Sequence, residues 1–87
     1  MIYLSFLDCY EANTEFEGFD LESNYNGSSV ELVSKCQEDC KNEVGCKFFT
    51  YNKKNKHCYL KTSDAGRRFK NGAISGIARC HSTSGYN

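Results

Sequence analysis

Apolar side chains recur at Leu32, Val33, Cys36, Cys40 and Val44, in steps that gather them on one helical face. Ser28 stands ahead of this run as a candidate N-cap, and Glu31 three residues later completes a capping box. Glu31 and Lys35 form a favourably ordered exposed pair. Gly45 suits the left-handed position that closes a helix. The pattern predicts one amphipathic helix over about residues 29–44. The sulfurs of Cys36 and Cys40 lie a turn apart on its inward face, each free to seek a different partner.

Elsewhere the pattern is that of strands. Phe6–Tyr10 suits a short first strand and Glu11-Ala12-Asn13 a turn. Thr14–Glu22 alternates apolar and acidic residues with a slip at Gly18, where a β-bulge is expected. Ser23–Gly27 reads as a polar loop. Phe48, Phe49, Thr50 and Tyr51 predict a strand within Cys46–Asn52, and Asn52–Lys56 a hairpin tip. His57–Lys61 returns as the partner strand. Ser63–Gly72 reads as a second polar connection, and Ala73–Cys80 as the last strand with another bulge at Gly76. His81–Asn87 reads as a flexible tail. Phe19, Phe48, Phe49 and Leu60 are expected in the core, while Tyr25, Tyr51 and Tyr59 are expected partly exposed, within reach of a sugar or protein. Short hairpins and polar loops favour an antiparallel sheet, so the fold class is α+β with one sheet face packed on a single helix.

A chain of 87 residues makes one domain and buries only roughly 60% of the surface its unfolded form exposes. Its six cysteines therefore change the picture: they fit a stapled extracellular or secreted domain better than a cytosolic one. No apolar stretch is long enough to span a bilayer, so membrane insertion is not expected. Met1–Leu7 is apolar but has no basic start and meets Asp8 early, unlike a signal peptide. The expectation is a single domain, 1–87, with its core at 9–80 and its tail at 81–87, cut from a larger secreted multidomain protein.

Net charge is zero but unevenly spread. Residues 1–45 hold ten acids and two bases, residues 46–87 nine bases and one acid. Mutual neutralisation in the fold is the ordinary reading, and a basic surface meeting a polyanion the sharper one.

Spacing alone does not choose among the pairings six cysteines permit. Geometry narrows them: Cys46, just past the helix, can fold back to Cys40, and Cys58 lies on a strand the helix would cover, near Cys36. Cys9 would then tie the first strand to the last through Cys80. The helix pair Cys36-x3-Cys40, then Cys46-Lys47-Phe48-Phe49-Thr50-Tyr51, then Cys58-Tyr59-Leu60-Lys61 and Ile74-Ser75-Gly76 before Cys80 resembles the PAN/apple domain. Within that family the match looks most like the tandem apple domains of microneme adhesins from coccidian parasites such as Eimeria and Toxoplasma. The resemblance implies the pairs Cys9–Cys80, Cys36–Cys58 and Cys40–Cys46, and a curved, roughly five-stranded antiparallel sheet cradling the helix. It also implies a module that binds protein or carbohydrate, with no catalytic residues and no cofactor.

Rival chemistries are weaker. Zinc at Cys36, Cys40, Cys46 and Cys58, helped by His57 or His81, lacks the paired C-x2-C knuckles of structural sites. With two histidines no nucleophile, base and orienter can be assembled. The acids alternate with apolar residues as a solvated face would, which leaves little for a glycosidase pair. Asn26-Gly27-Ser28 matches the N-glycosylation acceptor, yet a turn feeding the Ser28 cap accounts for the same residues. Lys53, Lys54, Lys56, Arg67, Arg68 and Lys70 are the candidate ligand contacts, with solvated loop charge as the ordinary alternative. For an exported domain the polyanion would be a sulfated glycan rather than nucleic acid. Two roles follow: an adhesion module engaging a host-cell surface protein or glycan, or a structural module that spaces neighbouring apple domains or holds a partner protein.

Overall fold

The computed structural model describes residues 9–80. Five antiparallel strands form one sheet: β1 (Tyr10–Phe16), β2 (Ser28–Ser29), β3 (Phe48–Asn52), β4 (His57–Lys61) and β5 (Arg67–Ile77), in the order β1-β5-β3-β4-β2. One α-helix, α1 (Val33–Asn42), lies against one face. Strand alternation turns Phe49 and Tyr51 of β3, and Cys58 and Leu60 of β4, toward that helix. With Cys36, Cys40 and Ala78 they form the buried core. Three disulfides fasten it. Cys36–Cys58 joins helix to sheet, Cys40–Cys46 folds the chain back past the helix end, and Cys9–Cys80 closes a separation of 71 residues.

The helix is shorter than its periodicity predicts, and the capping box does not form. Ser28 and Ser29 instead pair with Cys58 and His57 as the edge strand β2. Leu32 is the N-cap, with no side-chain hydrogen bond, and its carbonyl accepts from Lys35 and Cys36 N–H. Sheet pairing outweighs the local capping preference because it also lets Tyr51 Oη donate to Val30 O at 2.9 Å. At the other end Glu43 is already extended and Cys46 is pulled back to Cys40. Leu32 and Val44, expected on the buried face, are therefore outside the helix and exposed, Val44 at 93%. Lys35 pairs with Asp39 at 3.0 Å, which raises the lysine pKa chiefly through that hydrogen bond. Glu31 turns to Lys56 instead, at 3.2 Å.

The β1–β5 hairpin departs most from the expected pattern. Residues 6–8 of the expected first strand, and the tail 81–87, lie outside the described residues. Glu11-Ala12-Asn13 belongs to β1 rather than to a turn. The irregularity falls at Asn13 (φ 53°), where the register jumps from Ala12↔Ile74 to Thr14↔Phe69, and not at Gly18. Asn13 Oδ1 accepts the Gly72 N–H at 3.2 Å, which anchors the protruding residues of β5. Nor is there a bulge at Gly76, which pairs regularly with both Tyr10 and Phe49. Its glycine is needed for space, because a Cβ there would run into the Cys9 carbonyl oxygen and the Phe49 ring. The stretch Arg67–Lys70 is strand, not loop.

Two core expectations change as well. Phe19 sits at φ 53° beyond β1 with its ring exposed, whereas Tyr51 is buried. Phe16 takes the place expected for Phe19: it is buried on the opposite face of the sheet, edge-on to Phe48 at 5.7 Å.

Candidate functional site

The helix covers one face of the sheet, and the other carries the candidate site. There the end of β1 bends across β3. Phe16 N–H donates to Thr50 Oγ1 at 2.9 Å, Thr50 and Ser75 hydroxyls lie 2.8 Å apart, and Ser75 Oγ donates to Thr14 O at 2.7 Å. This chain leaves neither buried hydroxyl unsatisfied, so two polar residues can sit inside the sheet without penalty. Beside it opens a groove of about 290 Å³ bounded by Phe16, Glu17, Tyr25, Asn52, Tyr59 and Lys70.

Lys61 forms the inner wall of this groove. Its ammonium is 2.7 Å from Asp20 Oδ1, donates to Gly18 O at 3.0 Å and stands 5.7 Å from the Tyr59 ring centroid. The Lys61 side chain is only 7% exposed, so this pair ties the segment after β1 to β4. Backbone bonds reinforce the tie: Leu21 N–H to Leu60 O at 2.8 Å and Thr62 N–H to Phe19 O at 2.9 Å. The tyrosines differ in exposure: Tyr25 is 68% exposed, and Tyr59 is half-buried over Gly27.

The six basic candidates divide into two sets. Arg68 binds Glu15 at 2.5 Å and Glu17 at 2.6 Å, and its pKa is raised, first by the hydrogen bond it donates to Glu15. Arg67 binds Glu11 at 2.9 Å and Asp64 at 3.1 Å, with its guanidinium 5.2 Å from the Phe16 ring centroid. Lys56 holds Glu31. These three are spoken for. Lys53, Lys54 and Lys70 are exposed and have no carboxylate partner among the described residues. They also converge. Lys53 N–H donates to Gly72 O at 2.9 Å, the Lys54 stem lies over Gly72, and Lys70 lines the groove two residues away. Asn52 Oδ1 fixes the hairpin tip that carries two of them by accepting from Lys54 N–H at 2.8 Å.

The uneven charge along the sequence is thus partly resolved by the β1–β5 and β2–β4 sides of the fold; among the described residues Lys53, Lys54 and Lys70 stay without a carboxylate beside the groove, and Lys41, Lys47 and Arg79 without one around the end of α1. Sequence reasoning missed Lys61, Thr50 and Ser75. Nothing in His57–Lys61 marked its last lysine as buried, since alternation placed it among solvent-facing residues. Among the described residues no three His, Cys, Asp or Glu side chains converge as metal ligands. Cys36, Cys40, Cys46 and Cys58 are in disulfides, His57 Nδ1 is 3.1 Å from Asn55 O, and His81 lies outside the described residues. No helix among the described residues is long and apolar enough to cross a membrane.

A family model described as the PAN domain matches residues 9–83. Among solved structures, the two N-terminal apple domains of Toxoplasma gondii microneme protein 4 are similar with a TM-score of 0.66 and 26% identity, covering 78% of this chain and 43% of that one. A PAN module from Eimeria tenella is similar with a TM-score of 0.58 and 31% identity, over 83% of this chain and 80% of that one. This chain spans less than half of the two-domain Toxoplasma chain.

Proposed function

The chain belongs to the PAN domain family, and we propose that it is a non-enzymatic extracellular adhesion module that engages a host-cell surface glycan or protein through its helix-free face. Three disulfides in a domain this small favour an oxidising, secreted setting. In this reading the domain belongs to a secreted multidomain protein of the microneme type. The observation that carries the ligand assignment is the corner of Lys53, Lys54 and Lys70. Three exposed lysines with no carboxylate partner among the described residues offer a site for sulfate groups on a glycan, whose affinity is electrostatic and falls with salt.

A spacer role in a tandem array is the weaker reading. The Cα atoms of Cys9 and Cys80 are 5.7 Å apart, against a longest dimension of 37 Å. A chain entering at one cysteine and leaving at the other gains almost no reach, so the domain hangs beside the array with its surface presented.

Heparin-affinity chromatography tests the assignment. The triple reversal Lys53→Glu, Lys54→Glu, Lys70→Glu should elute at clearly lower salt, while Lys47→Glu, at the opposite end of β3, should elute near the parent. Unchanged retention of the triple variant, with its fold intact by circular dichroism, would rule out this corner.

A further inference from the structure

The Asn26-Gly27-Ser28 sequence has lost its alternative explanation. A turn feeding a Ser28 helix cap would account for these residues, but α1 begins at Val33 and Ser28 caps nothing. Gly27 has its own reason: φ is +80°, and a Cβ there would lie 2.7 Å from Tyr59 Cε1. No such reason attaches to Asn26. It is exposed and makes no side-chain hydrogen bond among the described residues, whereas the nearby Asn24 uses both ends of its amide, accepting from Leu60 N–H at 2.8 Å and donating to Ser28 Oγ at 3.4 Å. Asn26 lies in a turn closed by Gly27 N–H to Asn24 O at 2.9 Å, ahead of the edge strand β2. A large substituent on its Nδ2 therefore displaces no core contact and breaks no hydrogen bond of the fold.

We propose that Asn26 is an N-linked glycosylation site. The donor is a lipid-diphosphate-linked oligosaccharide. Asn26 Nδ2 forms a bond to the anomeric carbon as the carbon–oxygen bond to phosphate breaks; the lipid diphosphate leaves with the electron pair, and the amide gives up one proton to a base. The Ser28 hydroxyl, two residues on, supplies the second recognition element of the acceptor. The proposal rests on the extracellular reading above. Its structural consequence is specific. Asn26 follows Tyr25 on the groove wall, so the glycan stands at the groove's aromatic end and beside edge strand β2. It restricts access to both and leaves Lys53, Lys54 and Lys70 open.

The test is secretion of the native sequence from a eukaryotic host, followed by intact mass before and after peptide N-glycosidase, with disulfide state read from the same spectrum. Expected is a glycan-sized mass loss that leaves aspartate at position 26, abolished in both Asn26→Gln and Ser28→Ala and retained in Ser28→Thr. Exported protein with three disulfides and an unmodified Asn26 overturns the proposal while leaving the extracellular reading standing. Free thiols in the exported protein would instead overturn the extracellular reading, and the proposal with it.

Discussion

Replacing Lys61 by methionine keeps most of the side chain's stem and deletes the ammonium that anchors the groove's inner wall. Three interactions go with it: the 2.7 Å pair with Asp20, the 3.0 Å hydrogen bond to Gly18 O and the contact with the Tyr59 ring. Breaking a fully buried pair by removing one partner costs about 3–5 kcal/mol, because an uncompensated charge is left behind. Asp20 is 20% exposed, so water partly rescues it, and the expected loss is about 2–3 kcal/mol. For a domain of this size that corresponds to a fall in melting midpoint on the order of 10 °C. Urea unfolding of Lys61→Met, Asp20→Asn and the double variant gives the coupling directly, expected at about 1–2 kcal/mol. If Lys61→Met stays within about 0.5 kcal/mol of the parent, or the coupling vanishes, the pair does not hold the groove wall and the reasoning fails.

Removing Cys36–Cys58 by paired alanine substitution frees a separation of 22 residues and should cost about 3 kcal/mol from chain entropy alone. Removing Cys40–Cys46, with a separation of 6, should cost about 2 kcal/mol, and urea midpoints will rank the two. Gly27→Ala combines left-handed strain with the clash against Tyr59, whereas Gly18→Ala at a similar φ meets open space. The first should therefore lose more stability than the second, by about 1 kcal/mol or more in thermal unfolding. Tyr10 is pushed above its ordinary pKa of 10.0 by burial. A raised acid pKa means the native state holds its proton longer, so this contribution to stability is present below pH 10 and is lost as pH rises through the folded-state value. Tyr10→Phe should flatten that alkaline decline, measured as the urea midpoint against pH.

Much of this fold can be read from local pattern where burial and periodicity agree. Phe48–Tyr51 is legible from its run of aromatic and β-branched residues, and His57–Lys61 from Cys58 and Leu60 on the face that meets α1, so β3, β4 and their hairpin are legible. The centre of α1 is legible for the same reason, through Cys36 and Cys40. Its ends are not, since both are set by distant partners: Ser28–Ser29 by β4, and Cys46 by a disulfide. Arg67–Lys70 hides as strand because its stability comes from cross-strand ion pairs with Glu15 and its neighbours rather than from apolar alternation. The basic candidates were legible as a set. Which of them are free was not, because Arg67, Arg68 and Lys56 find acids far away in sequence. Lys61 was invisible for the matching reason: its burial depends on Gly18 and Asp20 folding back over β4.

The most direct test of the basic corner is amide chemical-shift mapping of the isotope-labelled, oxidised domain titrated with a heparin-derived oligosaccharide. The expected result is saturable perturbation concentrated at residues 52–54 and 70–73, with α1 unaffected. Shifts centred on the helix, or none at saturating ligand, would contradict the assignment of that corner as the binding surface.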